Sequence, residues 1–412
     1  MFSSFFSLFS EETKQEASPK TNSAEVETTK VNASEMEAAK NKEEPKKTKE
    51  LLPESFQLGA FLDAYYNYNN NLPKGTERKY TTQAVRNDEF NVNLAYIDAK
   101  VEESKYRGRL ALQYGTSVNT NYANEPMKDT GSNQLGVRNL QEAYVGFKVA
   151  PKTWIDGGIY FGHIGFESWI SHLNWNYTRA FALDYVPYYT AGVRVSHQFS
   201  DKFSMQFHIM NGWQNITENN RDKSFGLQWK YKFTSSLALT VNQFAGNEAP
   251  DNERKQLRLY NNTILEWHAL EWLSFAGSFD AGAQKAKESL LYEPWLHEWD
   301  SAIPVYRDAE AKAYRHWYHG TLWLSFKWDP AYRLSLRVER FYDPKQVLVA
   351  TGTRNGFMSN GYTATLDLLS WDPAMIRLEY NYRRSADAVF DYRNAQFSKK
   401  EDFFVVAFSM KL

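Results

Sequence analysis

The chain has 412 residues, with 48 Lys and Arg against 49 Asp and Glu, no cysteine, and 16% aromatic residues that include 26 Tyr and 13 Trp. This balance leaves no broad basic surface for nucleic acid, and the missing thiols exclude disulfides, thiolate zinc sites and a lipid-modified N-terminal Cys. A mean hydropathy of −0.61, with no apolar run near about 18 residues, excludes a membrane-spanning helix; a barrel with a wet lumen needs only alternate residues to be apolar.

Residues 1–10, MFSSFFSLFS, resemble part of a signal-peptide core but lack a basic n-region and a small-residue cleavage site, so they read as a signal-peptide remnant. Residues 11–54 are dominated by Glu, Lys, Thr, Ser, Asn and Ala, and no aromatic residue occurs between Glu11 and Glu50. Such a segment buries too little apolar surface to offset the entropy of ordering, and a disordered, charged periplasmic leader is expected. The stretch from Glu35 to Lys40 has weak helical character but no sustained heptads.

From residue 55 to 412 one rhythm recurs: about ten residues alternate apolar with polar, a short turn follows, then ten more and a long polar loop. Leu58, Ala60, Leu62, Ala64 and Tyr66 share one face of the first such segment, with Asp63 on the other; Phe404, Val406, Phe408, Met410 and Leu412 share one face of the last. Strands are predicted near 56–66, 89–101, 106–114, 139–149, 153–161, 188–199, 202–210, 223–233, 236–246, 257–268, 272–283, 316–328, 332–342, 357–369, 375–383 and 402–412. Short links alternate with long ones, the signature of an up-and-down transmembrane antiparallel β-barrel of about sixteen strands with both termini on the periplasmic side. A soluble sandwich, which would also alternate along each strand, has no reason to sort its loop lengths this way.

Period two places Arg107, Arg109, Gln113, Arg194, Lys230, Lys232, Arg333, Arg337, Arg377 and Arg383 inside, with Asp63, Glu142, Asp156, Asp280, Glu339, Asp367 and Glu379. Lys or Arg facing lipid at the midplane would cost roughly 2–4 kcal/mol each, so the charged face is the lumen. A water-filled pore is one reading, with Arg107, Arg109, Arg194, Arg337, Arg377, Asp63, Glu339 and Glu379 lining it and setting selectivity. Structural ladders of paired charge are the other.

The loop 162–187 holds Phe166, Glu167, Trp169, His172, Trp175 and Arg179. It is too apolar to be left in water and is expected to fold inward as a constriction, unless it packs over the barrel mouth or into a subunit contact.

Two tight turns share the words Trp328-Asp329-Pro330-Ala331 and Trp371-Asp372-Pro373-Ala374. Asp followed by Pro suits a turn, and Trp328 and Trp371 are expected at the interface, where amphipathic rings meet headgroups. Asn215, Glu218, Asn219, Asn220 and Asp222 offer calcium-type oxygens, although such clusters are ordinary loop-tip chemistry. His316 and His319, three apart on a strand, point to opposite faces and make a poor metal pair. No G-x-S-x-G, H-E-x-x-H, P-loop or dinucleotide fingerprint occurs, so neither an enzyme nor a cofactor or metal is expected.

Between Ile159 and Gly246 the sequence resembles the OmpL-like β-barrel porin family of Gram-negative and spirochaetal outer membranes. The likeness rests on Gly162-His163-Ile164-Gly165-Phe166-Glu167, Asn174-Trp175-Asn176-Tyr177-Thr178-Arg179, Tyr188-Tyr189-Thr190-Ala191-Gly192-Val193-Arg194 and Asn211-Gly212-Trp213-Gln214-Asn215 with Asn219-Asn220, and extends loosely over 56–412. It implies an outer-membrane porin passing ions and small polar solutes by diffusion, in contact with outer-membrane lipid and with no nucleic-acid partner. Assembly as a homo-oligomer stays open. The alternatives are a closed barrel acting as a surface adhesin through loops 284–314 and 384–401, or a barrel hydrolase with a site built from scattered Ser and His.

Overall fold

Alternating strands leave unpaired edges unless the sheet closes on itself. In the computed structural model, which describes residues 52–123, 125, 136–286 and 313–412, the sheet closes. The strands are β1 (Gln57–Asn69), β2 (Phe90–Glu102), β3 (Tyr106–Tyr114), β4 (Leu140–Ala150), β5 (Thr153–Phe161), β6 (Tyr189–Gln198), β7 (Phe203–Met210), β8 (Ser224–Lys232), β9 (Leu237–Asn247), β10 (Leu257–Leu270), β11 (Leu273–Lys285), β12 (Tyr314–Asp329), β13 (Tyr332–Asp343), β14 (Phe357–Leu368), β15 (Ala374–Ser385), β16 (Phe390–Tyr392), β17 (Gln396–Ser398) and β18 (Lys400–Lys411). Among the described residues sixteen of them form one closed antiparallel barrel, sealed where β1 pairs with β18; β16 and β17 make a separate small hairpin.

The barrel matches the expected strand count and the alternation of tight and long links. Turns such as 103–105, 151–152, 271–272 and 330–331 all lie at one end, and the connections 70–89, 162–188, 211–223 and 344–356 at the other. Strand ends shift by a few residues, because period two marks a face but not where pairing stops: β1 runs on to Asn69 and β12 begins at Tyr314. Hairpin β16/β17 and a short helix, α1 (Thr116–Asn121), lie in segments expected to be loop. Residues 1–51, which hold nearly all of the expected leader, and 287–312 of the expected loop 284–314 lie outside the described residues.

The outer face is apolar and exposed, as lipid requires: Leu110, Phe147, Phe207, Phe225, Leu322, Val338, Phe404 and Phe408 all point outward. The outward charges Arg340, Arg384 and Asp402 occupy strand positions next to the long loops, where the cost of a charge falls to about 0–1 kcal/mol.

The inner face differs from the water-lined reading. A continuous apolar cluster lies inside the barrel, built from inward Phe61, Leu94, Tyr96, Trp317, Trp323 and Phe341 together with Trp169, Phe181, Leu183 and Val186 of the segment 162–188. A second cluster joins Tyr65, Phe403, Val405 and Ala407 to Ala84 and Tyr177. Two inner-row glycines make room for large neighbours: a Cβ at Gly282 would lie 2.0 Å from the Trp317 ring, and one at Gly226 would lie 2.4 Å from His163.

Candidate functional site

Strand register decides which inner charges meet. Asp367 is directly opposite Arg333 on β13 and Arg377 on β15, and Asp156 is opposite Arg194. These cross-strand pairs close as ion pairs, with Arg377 Nε donating to Asp367 at 2.7 Å and Arg194 to Asp156 at 2.8 Å. Arg107 also donates to Asp156 at 2.7 Å, and Arg109 bridges Asp98, at 2.9 Å, and Glu142. Arg337 lies between Glu167, 3.1 Å away, and Glu339, 3.4 Å away. The imidazole of His319 reaches both Asp280 and Glu339.

Of the eight residues expected to line the pore, only Arg107 and Arg109 keep about a fifth of the side chain accessible, 20% and 18%. Asp63, Arg194, Arg337, Glu339, Arg377 and Glu379 are on the inner face as expected but buried. The correction has a physical cause: what covers Asp63, Arg337, Glu339, Arg377 and Glu379 is the chain's own segment 162–188, which period two along a strand cannot reveal, while Arg194 lies against Asp156 and the Tyr160 ring.

That segment crosses the interior and bonds to strands all around it. Arg377 donates to the carbonyls of Ser171, at 2.6 Å, and Asn174, at 2.5 Å. Glu379 accepts the backbone N–H groups of Tyr177, at 2.6 Å, and Thr178, at 3.0 Å. Tyr177 and Ser171 donate to Asp63. Asn176 donates to Thr365, and the Trp169 indole to Gln113 at 3.0 Å. On the far wall His163 stacks on His208 at 4.3 Å and contacts the Gln243 carbonyl.

The six expected loop residues all face protein. Phe166 packs between Trp175 and Trp323; Glu167 accepts from the Trp323 indole and from the Ala180 N–H. His172 meets Ser409 and the Phe61 ring. The Arg179 guanidinium lies 3.9 Å from the Tyr188 ring centre and 3.6 Å from Asp184. Burial raises the Glu167 and Asp184 carboxyls above their usual range, against the pull of Arg337 and Arg179 respectively.

A second inserted loop, 70–89, was not legible as anything but an Asn-rich connection. Gln83 and Ala84 are fully buried. Thr82 joins the two loops by donating to Asp184 at 2.6 Å and accepting from Arg179. A β-bulge beside Asp63 sends Asn93 inward, where it donates to Asp63 at 2.7 Å. The sequence signal for this insertion is the uncharged run Tyr80-Thr81-Thr82-Gln83-Ala84-Val85, set between Glu77-Arg78-Lys79 and Arg86-Asn87-Asp88-Glu89.

Trp328 and Trp371 are exposed at the tight-turn end, Trp328 stacking on Tyr332. In the 212–222 loop Glu218 and Asp222 are engaged by Lys223 and Lys255. His316 and His319 lie on opposite faces. Among the described residues no cluster of His, Cys, Asp or Glu could hold a metal ion.

A closed sixteen-strand barrel with lipid on its outer face and charge inside is the architecture of an outer-membrane porin. Solved structures of that class share it: an anion-selective porin from Comamonas acidovorans (9% identity, 87% of this chain and 99% of that one, TM-score 0.53) and the outer-membrane channel DcaP of Acinetobacter baumannii (11%, 87% and 97%, 0.51). Salmonella typhi OmpF in complex with daunomycin is a third (12%, 87% and 97%, 0.53). At these identities the likeness is one of fold. No curated protein matches the sequence. The chain belongs to the family described as "Putative beta-barrel porin-2, OmpL-like", whose model matches residues 55–412, and its place is the bacterial outer membrane.

Proposed function

We propose that the chain is a passive channel for ions and small polar solutes, narrowed by residues 162–187. The observation that carries this reading is the anchoring of that segment on β1, β3, β13 and β15 together with its contacts to β7, β9 and β12, which narrows the bore from every side. Toward the tight-turn end Arg107, Arg109, Ser196, Lys230 and Lys232 are half-buried rather than buried, and their charge weights the passage toward anions. Phe166, Glu167, Trp169, His172, Trp175 and Arg179 form the narrowing. Arg194, Arg337, Arg377, Asp63, Glu339 and Glu379 act as structural anchors. Trp328 and Trp371 seat their hairpins at the periplasmic interface. Residues 55–412 are the channel domain, residues 1–10 a signal-peptide remnant and 11–54 a periplasmic leader. Diffusion needs no catalytic step and no cofactor.

Reconstitution in a planar bilayer under a salt gradient tests this: stepwise current with an anion-side reversal potential is expected, and a silent bilayer defeats it. Replacing Arg107 and Arg109 together by Ala should move the reversal potential toward the cation side with little change in step size. The dense pairing of buried charge favours a second reading, a barrel that stays shut and acts as an adhesin or structural protein through its long loops. The same bilayer measurement separates the two.

A further inference from the structure

Four neighbouring strands carry a row of cations on the outer face of the barrel. In register, Arg340 of β13 is opposite Asn360 of β14, Asn360 is opposite Arg384 of β15, and Arg384 is opposite Lys400 of β18. Each belongs to the outward set of its strand, and Arg340, Arg384 and Lys400 are exposed. All four lie within four residues of the long-loop end of their strands, the end that faces the outer leaflet. Directly opposed side chains of an antiparallel pair have Cβ atoms about 5 Å apart, and like charges placed so destabilise the sheet. The protein does not offset this repulsion: among the described residues Arg340, Arg384 and Lys400 make no ion pair and no side-chain hydrogen bond. The carboxylates nearby are engaged elsewhere, Asp402 by Asn70, Asp387 by the N–H and amide of Asn355, and Asp343 by the N–H groups of Val347, Leu348 and Val349.

Depth along each strand indicates what covers the row. Outward positions of β15 run Leu378, Tyr380, Tyr382, Arg384 toward the loops, and those of β18 run Phe408, Val406, Phe404, Asp402, Lys400. Just below the cations the rings of Tyr362 and Tyr382 pair at 6.2 Å and those of Tyr380 and Phe404 at 4.7 Å. Apolar side chains, then aromatic rings, then charge follow a lipid from acyl chain to headgroup. The row is local, since β7, β8 and β10 carry Ile209, Phe225 and Leu257 at the same end of their outward faces. Arg384 and Lys400, side by side, suit one phosphate, which a guanidinium grips as a fork and an ammonium attracts as a point charge. Arg340, two strand spacings or about 10 Å from Arg384, suits a second, and the Asn360 amide between them meets a hydroxyl-bearing spacer. We infer that this face is a docking site for the headgroup of a bisphosphorylated glycolipid of the outer leaflet, whose acyl chains lie over Val338, Tyr362 and Leu378. The site depends on the barrel's place in the outer membrane and not on whether the barrel conducts.

Native mass spectrometry of the full chain in detergent, titrated with diphosphoryl lipid A and, for comparison, with its monophosphoryl form and with cardiolipin, tests it. Tightest retention of the diphosphoryl lipid is expected, weakened about tenfold or more when Arg384→Gln and Lys400→Gln are combined. Lys105→Gln with Lys202→Gln removes the same charge from exposed tight turns and should leave retention unchanged. Equal retention of the monophosphoryl lipid or of cardiolipin overturns the site, as does a loss that is absent from the Arg384/Lys400 pair or the same in both pairs. The lipid comparison is made on the unmodified chain and stands without either variant, and an unchanged melting temperature by circular dichroism shows that the variant barrels are intact.

Discussion

Arg377→Ala is expected to raise single-channel conductance severalfold and to make the current noisier, while the barrel itself still forms. The guanidinium joins three things: Asp367 at 2.7 Å, the carbonyl of Ser171 at 2.6 Å and that of Asn174 at 2.5 Å. Ala removes the two bonds that pin the first turn of the segment 162–188 and leaves Asp367 with Arg333 alone. Breaking a buried charge pair by deleting one partner costs about 3–5 kcal/mol. Much of that cost falls on the seating of the loop, because the sixteen strand pairings are untouched. Current steps measured beside the parent protein decide it. Steps of unchanged size would show that residues 162–187 do not narrow the passage.

Arg337→Met should cause a large loss of stability. Glu167 and Glu339 share this one cation, and His319 remains for Glu339 but not for Glu167. A fall of about 3–5 kcal/mol is expected, from a carboxylate buried without its partner, read as a lower melting temperature by circular dichroism in detergent. Pairing the change with Glu167→Leu should restore most of the loss, because the desolvated charge goes with its partner. If the double variant melts no higher than the single one, the Arg337–Glu167 contact is not what the barrel depends on.

Much of the barrel was legible because lipid and lumen sort residues by parity. Arg107, Arg194, Arg337 and Arg377 were all placed on the inner face from their position relative to Leu110, Val193, Leu336 and Leu378, and that placement survives in three dimensions. The aromatic content of 162–187 likewise marked it as a segment that water would not hold. Less visible was the 70–89 loop, whose insertion depends on Thr82 and Gln83 meeting partners in 162–188 that are distant in sequence, and on Ala84 meeting Asn93, which only a bulge turns inward.

The amino-acid sequence by itself determined the strands, their facing and the lipid-exposed surface, since each follows from period-two alternation and turn chemistry read over a few neighbouring residues. Only the tertiary structure decided whether the inner charges meet water or protein. Arg377 and Arg107 read alike along their strands, yet one is buried against loop carbonyls and the other keeps a fifth of its surface accessible. The difference is made by a loop some two hundred residues away from Arg377 in sequence, and burial created by long-range packing leaves no periodic trace.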